Sequence, residues 1–227
     1  MFPSKVAGVA KLVFYAAMLS CFCCTSQAAT ISGLFNTGVN GSGVAFGSGG
    51  VPDPHYSLIV QPGSATAVTV TDTGFPFPIW VANNSGSRWI GPDETGPDAT
   101  GNASPGNYVY RTTFNVPANA DLSTVNVSGQ WGTDDPSVDI LINGGSTGNV
   151  SAGFTTLVPF SVNSGFVIGT NTLDFSLNNV ISVTGLRIDK IVGTYQVPEP
   201  ATACLAGVAL AMSAVVLGRV RATRLTC

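Results

Sequence analysis

The stretch NYVYRTTFNV, residues Asn107–Val116, decides the fold class of this chain. Polar and apolar residues alternate along it, with the period of two that is typical of a strand with one buried face. Most of its residues are Val, Tyr, Thr or Phe, which are enriched in β-strands. It therefore predicts a long β-strand near the middle of the chain.

Similar stretches lie on both sides of it, each rich in Val, Ile, Thr, Phe or Tyr and bounded by Gly, Pro, Asn or Asp. They are His55–Val60, Thr66–Thr71, Ser123–Trp131, Ser137–Ile142, Phe154–Val162, Asn171–Asn179 and Gly185–Tyr195. No stretch between Ala29 and Gln196 carries a sustained helical period. Many short strands with regular turns predict an all-β domain over residues 29–196, built as an antiparallel sandwich or barrel.

Residues 1–28 have the pattern of a secretory signal peptide. Lys5 and Lys11 precede an apolar run, Leu12–Cys24, and small residues follow at Ser26 and Ala28. We expect export, with cleavage between Ala28 and Ala29. Two alternatives remain open: the apolar run stays uncleaved as an anchor, although it is short for a membrane span, or Cys21 accepts a lipid.

The chain ends with three features in a fixed order. They are Val197, Pro198, Glu199 and Pro200, then the uncharged run Ala201–Gly218, then a basic tail over 219–227 with Arg219, Arg221 and Arg224. A helix over 201–218 has a length of about 27 Å, close to the roughly 30 Å of a bilayer's hydrocarbon core. The arginines favour the cytoplasmic side, which places the domain on the far side of the inner membrane.

These three features resemble the PEP-CTERM sorting signal, although the arginines here are spaced rather than clustered. The resemblance implies an exosortase as processing partner, in a Gram-negative bacterium that makes exopolysaccharide. It also implies cleavage near 197–200, an inner-membrane intermediate held by 201–218, and a final place on the outer surface or in the extracellular matrix. The alternative is a plain single-pass anchor.

Composition excludes several kinds of site in the region between the two signals. No cysteine lies between Ala29 and Val197, so this region has neither a disulfide nor a thiolate metal site. It holds four basic and eleven acidic residues, and 4 − 11 gives a net charge of −7. Nucleic-acid binding needs a basic footprint, so we predict no nucleic-acid partner.

A second resemblance concerns the body of the chain. The stretch VDILINGGSTGNVSAGFTTLVPFSV, Val138–Val162, followed by GTNTLDFSLNN, Gly169–Asn179, resembles the galactose-binding-like jelly roll. The likeness covers roughly Tyr108–Tyr195 and depends mainly on its turns, such as Asn143-Gly144, which suits a tight hairpin. It implies a jelly-roll sandwich of a kind found in many carbohydrate-binding modules, often with one structural Ca²⁺.

Catalytic patterns are weak. The single histidine, His55, has no GxSxG element to accompany it. Asp134 and Asp135 stand together before Pro136, which is typical of a turn rather than of the paired carboxylates of a glycosidase. We therefore predict no catalytic residues and no enzyme.

Calcium is the one cofactor that the acidic residues suggest, because it needs only oxygen ligands. The candidates are Asp93, Asp134, Asp135 and Asp139, and they do not follow the spacing of an EF-hand. Otherwise no cofactor is expected.

Sugar rings stack on exposed aromatic faces while nearby polar groups bond their hydroxyls. Of the three tryptophans, Trp80, Trp89 and Trp131, the last two have suitable neighbours: Arg88 beside Trp89, and Asp134 and Asp135 close to Trp131. Core packing is the alternative for each tryptophan, and the commoner one.

Together these observations predict an exported, non-enzymatic surface or matrix protein that associates with polysaccharide through a jelly-roll domain. Two other classes stay open: an enzyme or accessory module that acts on carbohydrate, and a protein-binding assembly module. Turnover of a glycan favours the first, and a stable oligomer without glycan affinity favours the second. The sequence does not identify the ligand.

Overall fold

The computed structural model describes residues 27–62, 66–92, 103–135, 137–150 and 153–198. Within these ranges the chain is all-β, with eleven strands and no helix. Residues Ala28–Gln196 form one compact unit. The prediction of an antiparallel all-β sandwich is confirmed.

The strands are β1 (Gln27–Ile31), β2 (Ser57–Val60), β3 (Ala67–Thr69), β4 (Ile90–Pro92), β5 (Gly106–Val116), β6 (Asp121–Asp134), β7 (Ser137–Ile142), β8 (Gly145–Ser146), β9 (Val158–Val162), β10 (Gly169–Asn179) and β11 (Gly185–Val197). All eight predicted stretches contain a strand. Strands β1, β4 and β8 were not predicted from the sequence. Strand β1 crosses the predicted signal-peptide cleavage site between Ala28 and Ala29.

The strands form two sheets. The six-stranded sheet has the order β3-β4-β11-β6-β9, with β1 also paired to β11, and the five-stranded sheet has the order β2-β5-β10-β7-β8. The longest ladder joins β5 to β10 and runs from Val116 opposite Gly169 to Gly106 opposite Asn179. Strands β6 and β11 form the centre of the other sheet, with Trp131 opposite Ile188.

The main core lies between the two sheets. Along β5 the buried residues alternate, as the sequence predicts, and they are Tyr108, Tyr110, Thr112, Phe114 and Val116. The indole of Trp131 on β6 packs against Phe175 on β10 and Phe160 on β9, at ring-centroid distances of 5.7 Å and 6.5 Å. Trp131 therefore points into the sandwich, and its chain neighbour Gly132 faces the opposite side of the six-stranded sheet.

Candidate ligand-binding site

The outer face of the six-stranded sheet has its own cover, formed by residues 70–89 and 153–157, which we call the outer cover. A Cβ atom placed on Gly132 would lie 2.9 Å from Leu157 and 3.3 Å from Trp89, and one on Gly185 would lie 2.8 Å from Trp80. Glycine in the middle of a strand often marks a close approach of this kind. Gly132 and Gly185 thus leave the space that two indole rings fill.

A second, smaller hydrophobic core holds the outer cover in place. Trp80 and Trp89 pack together at a ring-centroid distance of 4.4 Å, and they are buried with Val70 and Val183. The two segments of the cover are also joined by a hydrogen bond from Val81 N to the Phe154 carbonyl oxygen, at 2.8 Å. Aromatic pairs of this type add about 0.5–1.5 kcal/mol beyond the area they bury.

Trp80 also connects the cover to a buried acid. Its indole Nε1 donates to Asp134 Oδ2 at 2.6 Å, and the backbone oxygen of Asp134 accepts from the Thr184 hydroxyl. Burial raises the pKa of Asp134 from 3.8 to about 6; the Trp80 hydrogen bond opposes this, and the neighbouring charge of Asp135 adds to it. The carboxyl of Asp134 is therefore a fixed partner of the indole, beneath the cover.

Two buried arginines fasten the same loop. Arg187 on β11 donates from Nε to Ser87 Oγ at 3.0 Å, and from Nη1 to the carbonyl oxygens of Val81 and Ala82. Arg88 donates from Nη2 to the Val70 carbonyl oxygen at 3.3 Å. Carbonyl oxygens that the loop would otherwise bury without partners are satisfied in this way.

A shallow pocket of about 400 Å³ opens in the outer cover. Its wall is apolar along Phe77–Ala82, and its polar groups are Asp72, Asn83 and Thr155. Asp72 forms an ion pair with Arg88 at 2.9 Å and accepts a hydrogen bond from Asn83 Nδ2. A pocket of this size and composition is within the range of small-molecule sites, about 300–1,000 Å³.

The structure corrects the prediction that Trp89 and Trp131 are sugar platforms. Both side chains are fully buried, at 0% exposure, so neither presents a ring face to a ligand. Trp131 belongs to the core of the sandwich, and Trp89 to the core beneath the outer cover. Arg88 is buried too, and its Nη2 group is engaged by Asp72 and Val70.

Asp134 and Asp135 are also used within the protein. Asp134 accepts from Trp80, and Asp135 Oδ2 accepts from the backbone N–H of Val180 at 2.7 Å. These contacts are the ones that hold a turn and a loop in place. They leave the predicted ligand role of the two acids without support in the described residues.

The calcium prediction gains no support from the described residues either. Within the ranges that the structure covers, no three acidic, histidine or cysteine side chains come together. Asp139 accepts a hydrogen bond from Ser146, on β7 and β8 of the other sheet. Asp93 lies outside the described residues.

The side chain of His55 packs within the protein. Its ring stacks on Phe35 at a centroid distance of 3.8 Å, and Nε2 lies 3.2 Å from the Asn40 carbonyl oxygen. The adjacent acid, Asp53, accepts backbone hydrogen bonds from Gly38, His55 and Tyr56. This cluster organises the loop that precedes β2.

The predictions for the two ends fall almost wholly outside the described residues. Residues 1–26 and 199–227 are not described, which includes Glu199, Pro200, the predicted helix 201–218 and the basic tail. Where the structure does describe the chain, it contains no helix with the length and apolar character needed to cross a membrane. The signal peptide and the sorting signal stay predictions.

The chain matches no protein-family model, and no match was found among curated proteins. A proposal about function therefore depends on the fold, the pocket, and the predicted signal peptide and sorting signal.

Sequence reasoning missed most of the pocket. Asp72, Phe77, Asn83 and Thr155 were not among the predicted site residues, and Trp80 was the least favoured of the tryptophans. One signal could have found the region: Gly132 lies inside β6 and Gly185 begins β11, on the same outer face, and glycines at such positions indicate that something packs closely there.

Proposed function

We propose that this chain is an exported, non-enzymatic protein of the cell surface or extracellular matrix. In this proposal an exosortase processes it at Val197–Pro200, and its body is a galactose-binding-like jelly roll that associates with exopolysaccharide. The polysaccharide is the partner, and nucleic acid is not.

The turns of the body support the jelly-roll part of the proposal. Asn143 and Gly144 both have positive φ, at 50° and 81°, which is the geometry of a tight hairpin between β7 and β8. The turn that begins the stretch Gly169–Asn179 centres on Asn171, whose side chain forms hydrogen bonds with the backbone of Val167 and Gly169. Both motifs that carry the resemblance thus have clear structural roles.

The observation that carries the binding function is the pocket in the outer cover. It combines an apolar wall with three polar groups, and it is open to solvent in the loops of the outer cover. In the part of the chain that the structure describes, Asp72 is the one charged residue of its lining, and Arg88 balances it. Such a surface suits the reversible binding of an uncharged, hydroxyl-rich chain, with many copies compensating for weak single sites.

The sorting part of the proposal is tested in a producing host, with and without its exosortase. We expect the wild-type chain on the surface without its tail, as shown by mass spectrometry of the C-terminal peptide. Replacing Pro198, Glu199 and Pro200 by Ala should retain the protein in the inner membrane. Surface protein that still ends at Cys227 would contradict the proposal.

The binding part is tested by co-sedimentation of the exported protein with purified polysaccharide from the host. We expect retention that competes with soluble oligosaccharide and leaves the glycan chemically unchanged. Glycan turnover would point to an enzyme, and a stable oligomer that binds no glycan would point to an assembly module.

A further inference from the structure

We infer that the pocket in the outer cover binds one ring of a neutral sugar chain, with Phe77 as the stacking face and Asp72, Asn83 and Thr155 as hydroxyl partners. This inference rests on the proposed function and names its site and ligand class. Phe77 takes the stacking role that the sequence had suggested for Trp89 and Trp131, which are buried.

Phe77 is held in a fixed orientation by the aromatic groups behind it. Its ring meets Trp80 edge to face, at a centroid distance of 6.1 Å and an interplanar angle of 75°. Trp80 is fixed in turn by Trp89 and by its hydrogen bond to Asp134. Phe77 is partly buried against this core, and a side chain already held by its neighbours loses little conformational freedom when a ligand packs on it.

The polar groups of the pocket are also positioned in advance. Asn83 donates to Asp72 and accepts from the backbone N–H of Trp89 at 2.8 Å, while Arg88 holds the other carboxylate oxygen of Asp72. Each carboxylate oxygen has two acceptor positions, so Asp72 keeps capacity for the hydroxyls of a ligand. The Asp72 side chain is about half exposed, at 48%.

Charge favours a neutral sugar over an anionic one. Among the described residues, none that lines the pocket is basic, and the nearby cation, Arg88, is buried and paired with Asp72. The region Ala29–Gln196 is strongly acidic as a whole. A uronate or sulfate group would therefore meet the carboxylate of Asp72 in an acidic domain, with no free cation in the pocket to pair with it.

The loop exposes apolar surface in the pocket wall, at Ile79, and just before it, at Phe75. Phe75 and Ile79 expose 56% and 54% of their surface, and a hydrogen bond from Phe77 N to the Gly74 carbonyl oxygen tightens the turn between them. Exposed aromatic and aliphatic groups beside a pocket give a longer ligand additional contact. We therefore expect oligosaccharides to bind more tightly than single sugars.

The test uses the full-length chain in a detergent without a sugar headgroup, and hexasaccharides of β-1,4-glucan, β-1,3-glucan and galactan, with an alginate oligomer as the anionic probe. Binding is measured by calorimetry. We expect the wild-type chain to bind at least one neutral probe, and Phe77→Leu to weaken that binding by about tenfold or more. Thr155→Val, which removes only a hydroxyl, should weaken it several-fold.

Val138→Ala is the control for shortening an exposed apolar side chain away from the pocket. Val138 is 56% exposed and lies on β7 of the other sheet. This variant should bind as the wild type does. Trp80 provides a second measurement, because a ligand in the pocket should change the emission of this indole, and Trp80→Phe should remove that change. If Phe77→Leu fails to fold, Thr155→Val and the Trp80 emission decide.

The outcomes separate the inference from the proposed function. If the wild-type chain binds a neutral probe but Phe77→Leu and Thr155→Val bind it equally well, the pocket is the wrong site and the proposed function stands. Binding of alginate alone overturns the choice of a neutral sugar. If no probe and no host polysaccharide binds, both the inference and the proposed function fail.

Discussion

Substitution of Gly185 by alanine tests whether the outer cover packs as closely on the sheet as the structure shows. Gly185 is the first residue of β11 and lies beneath Trp80. An added Cβ would be 2.8 Å from Trp80 Cη2, 3.0 Å from Trp80 Cζ3 and 3.0 Å from the Ile90 carbonyl oxygen. Atoms at these distances overlap, and the carbonyl belongs to a paired strand that cannot move independently.

The size of the effect follows from two opposing contributions. Overpacking in a well-packed core costs about 1–3 kcal/mol. Replacing glycine by alanine stabilises by about 0.4–1 kcal/mol, because the unfolded chain loses freedom. We expect a net loss of roughly 1–2 kcal/mol, which lowers Tm by roughly 2–8 °C for a domain of this size.

The assay is thermal unfolding of the full-length chain, followed by circular dichroism and by tryptophan emission. Gly41→Ala is the matched control, since a Cβ at Gly41 meets nothing within 4 Å, and its Tm should stay the same or rise slightly. In a Trp80→Phe background the smaller ring no longer reaches the new methyl group, so Gly185→Ala should cost less. Interacting residues show this kind of non-additivity.

Equal Tm values for Gly185→Ala and Gly41→Ala would refute the packing of Trp80 against β11. So would additive effects of Gly185→Ala and Trp80→Phe, because additivity would mean that the two residues do not touch.

Three further predictions concern charged groups. Asp134 has a pKa of about 6 in the folded state against 3.8 ordinarily, so its contribution to stability is present below about pH 4 and is lost as the pH rises to about 6. The Tm difference between wild type and Asp134→Asn should therefore shift against the wild type over that range, and a flat difference would contradict the assignment. Arg111 binds Asp174 through two hydrogen bonds of 2.6 Å, so Arg111→Met should cost about 1–3 kcal/mol by leaving a buried carboxylate unpaired. Asp72→Asn removes the charge that pairs the buried Arg88 guanidinium, and we expect it to cost about 1–3 kcal/mol in the same thermal-unfolding assay.

The strands that the sequence predicted are those that bury one face continuously. Asn107–Val116 shows its period because five of its alternate residues point into the sandwich. Strand β4, Ile90–Pro92, could not be predicted in this way, since three residues show no period and two of them are Gly and Pro, which usually indicate turns. Its strand geometry comes from its partners, β3 and β11.

The candidate site was less predictable from the sequence than the strands were. A tryptophan beside an arginine or two aspartates has the same local sequence whether it faces solvent or a second core. Trp89 is buried in a cluster with Val70, Trp80 and Val183, against which Phe154 packs. Val183 and Phe154 are distant from Trp89 in sequence. Only the glycines opposite the rings, Gly132 and Gly185, carry a local sign of this cover.

The position of β11 determines how this fold responds to mechanical force. It is the last strand described, and it is hydrogen-bonded to β4 and β6 and also to β1. A load applied to the chain after Val197 therefore enters through an interior strand of the sheet, where hydrogen bonds on both sides must break before the strand is pulled out. An edge strand would detach one bond at a time. A load applied through β11 thus meets two rows of hydrogen bonds rather than one.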